Sequence, residues 1–234
     1  MSYGLQIIND HGTIQFDEVF QNYVVHSKGS GQANLTEIPK PMVNGNIVPF
    51  MFFVSSNNYS SNDVFTSSFN MSSGSNVVKP GGMNPAGAQS NFYYKWVICT
   101  LSSHAPDTFA SNYGLEIYNQ NGIRNYSSRQ EPLKVAGHIT SSFGTINVTY
   151  TTTVPLVYGH RRYVDFSAVY VLETHINQLP ANSWDDISSF AFQNNSSIIK
   201  IGRKQDVYSG SGDTNLVFNY EGDRTILFAD FYQS

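Results

Sequence analysis

The chain has 234 residues, of which 40% are hydrophobic and only 13% charged, and its formal net charge is −4. An average soluble protein has about 25% charged residues, so serine, asparagine, glycine and aromatics take their place here. The apolar fraction argues against wholesale disorder, and the acidic balance argues against a basic, non-specific nucleic-acid-binding face. The length allows one large β domain or two domains of about 100–150 residues.

The single cysteine, Cys99, excludes an intrachain disulfide framework and a cysteine-based zinc cluster. It lies in FYYKWVICT, so we expect a buried strand thiol rather than a reactive one. The N-terminus MSYGLQ lacks the regions of a secretory signal, and the longest apolar run, Val48 to Val54, is too short to span a bilayer. We therefore expect synthesis in the cytoplasm, without cleavage or membrane anchoring.

The first predicted element is a β-hairpin opened by the phrase YGLQIINDHG at 3–12. Its apolar residues alternate with other residues, which is typical of a half-buried strand, and we expect Leu5 and Ile7 to point inward. The Asn/Gly-containing segment after it predicts a turn, and the second strand follows at 13–16. Gly4 lies inside the first strand, where glycine indicates a bulge or a close backbone approach.

Further short strands are predicted along the first half of the chain, separated by Ser/Asn/Gly segments. The Gly/Pro-rich segment Lys79 to Asn91 is predicted to be a long loop, and Ser103 to Asn112 an interdomain linker. The predicted strands are Tyr23 to Val25, Met51 to Ser56 after Val48-Pro49-Phe50, Asp63 to Phe69, and the aromatic strand Phe92 to Cys99.

The opening phrase then recurs as YGLEIYNQNG at 113–122, with six of ten residues identical. The same alternation predicts that Tyr113, Leu115 and Ile117 share the buried face of a strand, with Gly114 matching Gly4. A turn follows, and then a second strand at Ile123 to Tyr126. Later predicted strands are Leu133 to Val135, Thr145 to Val154, Val164 to Thr174, Ser197 to Gly202, Asn215 to Tyr220 and Thr225 to Tyr232.

One short helix is predicted near 183–191. Ser183 can cap it, and Asp185 and Asp186 suit its first turn. Apolar residues of this segment, among them Trp184 and Ile187, recur at helical spacing.

The two phrases, and the landmarks that follow each in the same order, indicate a tandem duplication. YVV (Tyr23 to Val25) matches LKV (Leu133 to Val135), Val48-Pro49-Phe50 matches Val154-Pro155-Leu156, and each half closes on an aromatic-rich strand. A repeat this long indicates whole domains rather than a solenoid. The predicted fold is all-β: two tandem antiparallel β-sandwich domains at 1–102 and 113–234, joined by a linker at 103–112.

The residues that could carry chemistry are scattered. The six histidines show no metal-ligand spacing, and no G-x-S-x-G elbow, P-loop or dinucleotide fingerprint occurs; the histidines are His11, His26, His104, His138, His160 and His175. The glycine-rich segment Ser209 to Asp213 fits a hairpin loop better than a phosphate cradle, because it lacks a lysine and a following helix. We therefore predict no catalytic, metal or cofactor site, and no enzyme.

Three further features have a binding interpretation and a structural one. Asp185-Asp186 could be a carboxylate pair, but acidic residues also complement a helix N-terminus. His160-Arg161-Arg162 could meet a phosphate or an acidic partner, but such charges also protect a strand edge. Trp96, Trp184 and surface tyrosines could stack on sugars, although aromatics in β-sandwiches are mostly core.

Both copies of the opening phrase resemble the start of a group of small bacteriophage virion proteins, encoded among tail-tip, baseplate and fibre genes. These begin with Tyr-Gly-Leu-x-Val/Ile-x-Asn-x-x-Gly, matched here from Tyr3 to Gly12 and from Tyr113 to Gly122. FYYKWVIC resembles the family's closing strand. The resemblance implies a β-rich structural protein without catalytic residues. The second copy, the long loop and the helix containing Trp184 depart from the usual pattern.

The resemblance implies a non-enzymatic protein of the virion tail, at the tail tip, baseplate or fibre base, acting through protein–protein interfaces. Its expected partners are other tail proteins and further copies of itself, as a trimer or a six-fold-related assembly, with no nucleic acid and no membrane insertion. Two alternatives stay open. One is a receptor- or glycan-binding module at the tail tip, most plausibly near the Lys79–Asn91 loop or insertions in the second half; the other is a capsid decoration protein.

Overall fold

A computed structural model describes residues 7–8, 14–16, 21–56, 64–66, 76–83, 90–110, 113–141, 148–151, 159–165, 175–177, 183–192, 198–205 and 224–232. The chain is all-β and its sheets are antiparallel, as predicted. The strands in the first half are β1 (Ile7–Ile8), β2 (Ile14–Phe16), β3 (Tyr23–Gln32), β4 (Ile38–Pro39), β5 (Met42–Val43), β6 (Asn46–Ile47), β7 (Phe50–Ser56), β8 (Val64–Thr66), β9 (Val77–Val78), β10 (Gly81–Met83) and β11 (Tyr93–Leu101).

A 3-10 helix at Ser102–His104 follows β11. The strands after it are β12 (Glu116–Tyr118), β13 (Arg124–Ser127), β14 (Val135–Ser141), β15 (Val148–Thr151), β16 (His160–Asp165), β17 (His175–Asn177), β18 (Ser183–Phe192), β19 (Ile198–Gln205) and β20 (Arg224–Tyr232).

Two six-stranded sheets dominate the topology. The first has the order β14-β20-β16-β7-β11-β3. The second has the order β10-β8-β18-β19-β15, with β17 also paired to β18. The described strands also form four two-stranded ladders: β1 with β2, β12 with β13, β4 with β9, and β5 with β6.

The chain forms two compact units, each assembled from separate stretches of sequence. Unit 1 contains Met1–Gly29, Lys40–Phe52 and Val97–Lys134. Unit 2 contains Ser30–Pro39, Phe53–Trp96 and Val135–Ser234. The division at 1–102 and 113–234 that the sequence suggested stays a prediction.

Each unit buries its own apolar cluster. In unit 1 the largest fully buried side chains include Phe52 and Ile98, and Cys99 is a buried thiol as predicted. In unit 2 the ring of Phe231 meets two rings edge-on, with centroid distances of 5.6 Å to Phe53 and 5.4 Å to Tyr163. Such edge-to-face packing is the favoured geometry for aromatic pairs and joins strands β7, β16 and β20.

Both predicted opening hairpins are present. In the first, β1 pairs antiparallel with β2, with Ile7 opposite Phe16 and a bulge between Ile7 and Ile8. In the second, β12 pairs antiparallel with β13, with Ile117 opposite Tyr126. The second turn is closed by Asn119, whose side-chain Oδ1 accepts hydrogen bonds from the backbone N–H groups of Asn121 and Ile123 at 2.9 and 3.0 Å.

The buried face predicted for the second phrase is correct only for Ile117, which is 6% exposed. Leu115 is 48% exposed and Tyr113 is 88% exposed, so their predicted burial is wrong. The reason is that pairing with β13 begins at Glu116, and the preceding residues lie outside the ladder. Gly114 marks the expected close approach, because a Cβ there would lie 2.9 Å from Ser128 Oγ. The side chains of Leu5 and Ile7 lie outside the described part of the chain.

The predicted helix near 183–191 is wrong, because this segment is strand β18. Its backbone pairs with β19 from Asp186 to Phe192, with β17 from Ser183 to Asp185, and with β8 at Ser189 and Phe190. The capping residue and the acidic first turn are local signals for a helix. In the folded chain, strands on both sides of this segment provide hydrogen-bond partners for its backbone groups, and this pairing determines its conformation. The two-residue spacing of Phe190 and Phe192 is the strand signal that the helical pattern obscured.

Other strand predictions are confirmed over the following described residues: 23–25 in β3, 51–56 in β7, 93–99 in β11, 198–202 in β19 and 225–232 in β20. Of the strand predicted at Leu133 to Val135, only Val135 lies in a strand, at the start of β14. Only parts of 63–69, 145–154 and 164–174 are described, as β8, β15 and the end of β16. The prediction at 215–220 falls outside the described residues.

Candidate functional site

An open depression of about 540 Å³ lies in unit 1. Three pieces of chain form it: the segment before β3, the 3-10 helix, and the turn and strands of the second hairpin. The residues that line it are Gln21, Ser103, His104, Tyr118, Gly122, Ile123 and Arg124. We refer to it below as the hairpin depression.

Arg124 fixes the hairpin depression to the chain that follows β11. Its Nη2 donates to the backbone carbonyls of Ser102 at 3.2 Å and Ala105 at 2.8 Å. Its Nη1 donates to Asp107 Oδ1 at 3.0 Å and to Glu116 Oε1 at 3.4 Å. These contacts hold the 3-10 helix against β13, so the start of the segment predicted as a linker is anchored to the hairpin.

The buried amide of Gln130 reinforces this anchor. Its Nε2 donates to the carbonyls of Ser102 at 3.0 Å and Ala105 at 2.9 Å, and its Oε1 accepts from the Ser102 hydroxyl at 2.6 Å. The carbonyls of Ser102 and Ala105, at the 3-10 helix and directly after it, therefore accept hydrogen bonds from a side chain, as a helix end inside a protein requires. These bonds attach the 3-10 helix to the segment that follows β13.

A second arginine completes a charge network beside the depression. Arg129 Nη2 donates to Glu116 Oε1 and lies 3.1 Å from Asp107 Oδ2. Tyr118 donates its hydroxyl hydrogen to Glu116 Oε2 at 2.8 Å. The hydrogen bond from Arg129, followed by that from Tyr118, lowers the pKa of Glu116. The same bond to a carboxylate raises the pKa of Tyr118.

The network makes the hairpin depression electrically balanced, because two guanidinium groups face two carboxylates. Both terminal nitrogens of Arg124, Nη1 and Nη2, donate hydrogen bonds to protein oxygens. This arginine is therefore poorly suited to capture an external anion. What the depression offers a ligand is the ring of Tyr118, which is 51% exposed, beside Ile123 and the polar groups of Gln21 and His104. Such a surface suits an uncharged, hydroxyl-rich or amide-rich partner.

The histidines do not form a metal site in the described segments, where no group of three or more His, Cys, Asp or Glu side chains lies close enough to hold an ion. The structure does bring two of them near one another. Burial, and then the neighbouring His104, lowers the pKa of His26. His26 Nδ1 lies 3.2 Å from the hydroxyl of Ser27.

The basic triplet His160-Arg161-Arg162 opens β16, which pairs with β20 on one side and β7 on the other. The pairing with β7 involves Val164 and Asp165 and does not reach the triplet, so the interpretation as a protected strand edge stays a prediction. Arg162 makes a bidentate pair with Asp230, in which both hydrogen bonds are 2.9 Å long and both side chains are largely buried. The ring of His160 packs edge-on against Tyr232 at 5.4 Å.

The remaining candidates are placed as follows. Asp185 and Asp186 lie in strand β18, so the helix N-terminus that explained them does not exist. Trp96 lies in β11, His138 is exposed on β14, and His175 lies in β17. His11 and the segment Ser209 to Asp213 fall outside the described residues.

The loop predicted at Lys79 to Asn91 is described at both ends, which are joined by one side chain. Asn34 Nδ2 donates to the carbonyls of Gly82 and Ser90, each at 3.0 Å, and its Oδ1 accepts from Gly82 N–H at 2.9 Å. A Cβ on Gly82 would lie 2.5 Å from the Ser90 carbonyl oxygen, so the two ends of the loop are in close contact.

The sequence reasoning missed the four charged residues of the network, Asp107, Glu116, Arg124 and Arg129. A weak signal was present, since Glu116 and Arg124 lie on the two strands of the predicted hairpin, and opposite charges on paired strands attract. Nothing in the local sequence indicated that Asp107 would join them.

Comparison with known proteins gives no match: no family model, no curated protein and no solved structure is significantly similar to this chain. No helix within the described residues is long and apolar enough to cross a membrane.

Proposed function

We propose that the chain is a non-enzymatic structural protein of a bacteriophage virion, built from two β-sandwich repeats and located at the tail tip, baseplate or fibre base. It acts through protein–protein interfaces with other tail proteins and with further copies of itself. The observation that carries this proposal is the phrase Tyr-Gly-Leu-x-Ile-x-Asn-x-x-Gly, which occurs twice and resembles the opening of phage tail proteins.

Two structural features support the proposal. Residues from both phrases form antiparallel hairpins, so the resemblance falls on equivalent elements of an all-β fold. Tyr118 and Arg124, which line the hairpin depression, are engaged in a balanced charge network, which suits a stable surface better than acid–base chemistry.

The test is the position of the protein in the particle. Phage carrying an epitope-tagged chain are separated into heads and tails, and the tag is located by immunogold labelling and by cryo-electron microscopy. We expect label at the distal end of the tail. Label on heads identifies a capsid decoration protein instead, and absence from purified particles refutes a virion role altogether.

A second candidate function, glycan binding at the tail tip, is favoured by one observation. Tyr118 presents a half-exposed ring beside hydrogen-bonding side chains in a depression whose one arginine, Arg124, is paired with carboxylates. Aromatic rings stack on the apolar faces of sugars, while amides and hydroxyls bond their hydroxyl groups.

A glycan array of host surface polysaccharides tests this candidate with a matched pair of variants. Tyr118→Ala removes the ring in the depression, and Tyr113→Ala removes an equally large but more exposed ring that does not line it. Loss of a signal in Tyr118→Ala alone supports sugar binding at this site. A blank array, or equal loss in both variants, excludes it.

A further inference from the structure

The two copies of the repeat match residue for residue at a constant spacing of 110 positions. The first hairpin places Ile7 opposite Phe16 and Ile8 opposite Ile14. The second places Ile117 opposite Tyr126 and Tyr118 opposite Arg124, with the bulge at the corresponding step. Identical register and an identical bulge are strong evidence of a duplicated element, since a bulge is a specific and retained irregularity.

The same spacing holds for further strands in the first part of each copy. Strand β14 lies within the stretch that corresponds to β3, and β16 begins 110 positions after β7. Strands β4 and β15 also begin 110 positions apart, and each pairs with a later strand of its own copy, β9 and β19 respectively. The duplication therefore extends well beyond the opening phrases.

Equivalent residues of the two copies also lie opposite each other where the copies meet. In unit 2, Val54 pairs with Val164 across the β7–β16 ladder. In unit 1, Leu133 N–H donates to the Tyr23 carbonyl at 2.9 Å, and a bridge joins Val24 to Pro132. Both opposed pairs, Val54 with Val164 and Tyr23 with Leu133, are again 110 positions apart.

An antiparallel ladder in which residue i faces its own counterpart has a local two-fold axis between the two strands. The strand orders agree with such an axis. The first sheet reads β14-β20-β16 for one copy and then β7-β11-β3. This is the same order in reverse if the aromatic closing strands β11 and β20, which begin 131 positions apart, are taken as counterparts. In the second sheet, β8 and β18 meet at the centre, where Thr66 faces Ser189 at a spacing of 123 positions, so the later part of the second copy is longer than that of the first.

We propose that the two copies form an internal isologous dimer, in which the partner that completes the sheets of each copy is the other copy in the same chain. The docking surface is the strand edge formed by β7 and β8 in one copy and by β16 and β18 in the other. Without this partner each copy would expose unpaired N–H and C=O groups of strands whose described side chains, such as Phe53 and Val164, are buried. The two copies should then stay associated without the covalent connection through residues 103–112.

Cleavage of the folded full-length chain tests this proposal. A protease site inserted after Ala110, which is exposed, separates residues 1–110 from 111–234 after folding. We expect the cut chain to elute from a sizing column with the uncut chain, and to separate into two fragments only in denaturant. Fragments that separate under native conditions refute the proposal and indicate two independent domains on a flexible linker.

A cysteine pair tests the register. Cα atoms of directly opposed residues on antiparallel strands are close enough for a disulfide, so Val54→Cys/Val164→Cys should cross-link on oxidation. In the cut chain the fragments should then remain joined on a denaturing gel until a reductant is added. The controls are each single variant and the offset pair Val54→Cys/Asp165→Cys, whose side chains leave opposite faces of the sheet. Cross-linking of the offset pair, or none in the opposed pair, refutes the two-fold register.

Discussion

Replacement of Asn34 by alanine should destabilise the chain far more than its position in a turn suggests. Asn34 is 9% exposed, and its side chain makes three hydrogen bonds to backbone groups of Gly82 and Ser90 and a fourth, at 3.2 Å, to Asn91 Oδ1. Its backbone φ is 66°, in the left-handed region that asparagine tolerates better than alanine does. The substitution therefore removes the bonds and adds backbone strain.

The magnitude follows from these two contributions. Hydrogen bonds of this kind stabilise a protein by about 0.5–1.5 kcal/mol each, so the three to backbone groups together contribute about 1.5–4.5 kcal/mol. An alanine in the left-handed region costs about 1 kcal/mol more. We expect the free energy of unfolding to fall by about 3–5 kcal/mol in Asn34→Ala, as measured by urea denaturation followed by tryptophan fluorescence.

Asn44→Ala is the matched control. Asn44 also has a positive φ, 51°, but it is an exposed residue in the turn between β5 and β6. Its replacement should cost only the strain, about 1 kcal/mol. If the two variants lose the same free energy within about 1 kcal/mol, Asn34 does not hold the loop ends together.

Three further outcomes are expected. The pKa of His26 is lowered from its ordinary value of 6.5, so the unfolded chain binds the proton more readily than the folded chain. The free energy of unfolding should therefore fall as pH drops through 6.5 and level off below the folded pKa; a urea series from pH 7.5 to 5 checks this, and His26→Gln should flatten the dependence. Gly122→Ala and Gly45→Ala should each cost about 1 kcal/mol in thermal unfolding, because both glycines have positive φ and open space around them. Arg162→Met should lower the free energy of unfolding by about 3–5 kcal/mol, because it leaves the carboxylate of Asp230 buried without its bidentate partner. The double variant Arg162→Met/Asp230→Leu should recover most of that loss. A double-mutant cycle that shows no coupling between the two positions contradicts the pairing.

Most strands were predictable because their signals are local. Alternation of apolar residues and an Asn/Gly turn identify the hairpin from Glu116 to Ser127 without knowledge of the rest of the chain. Strand β18 was missed for the opposite reason. Its backbone is held by β8 and β19, neither of which a local pattern can reveal, and the acidic pair Asp185-Asp186 imitates a helix start.

The candidate site was less predictable than the fold. Hairpin pairing brings Glu116 toward Arg124 and could be anticipated from sequence. Asp107 and the carbonyls of Ser102 and Ala105 join them only because the chain after β11 turns back onto β13, and that path depends on tertiary contacts. Leu115 shows the same limit, since its exposure depends on where pairing begins and not on the alternation.

The opposition of Val54 and Val164 has a consequence for any ring that these chains build. In a ring generated by rotation about one axis, all subunits point the same way along that axis. Two repeats related by a local two-fold axis differ by a rotation of 180°. When that two-fold axis is perpendicular to the ring axis, the two repeats point in opposite directions along the ring axis. Three such chains in a closed ring would then present six repeats that face alternately up and down, with dihedral symmetry. A tail partner would meet three like surfaces on each side of that ring.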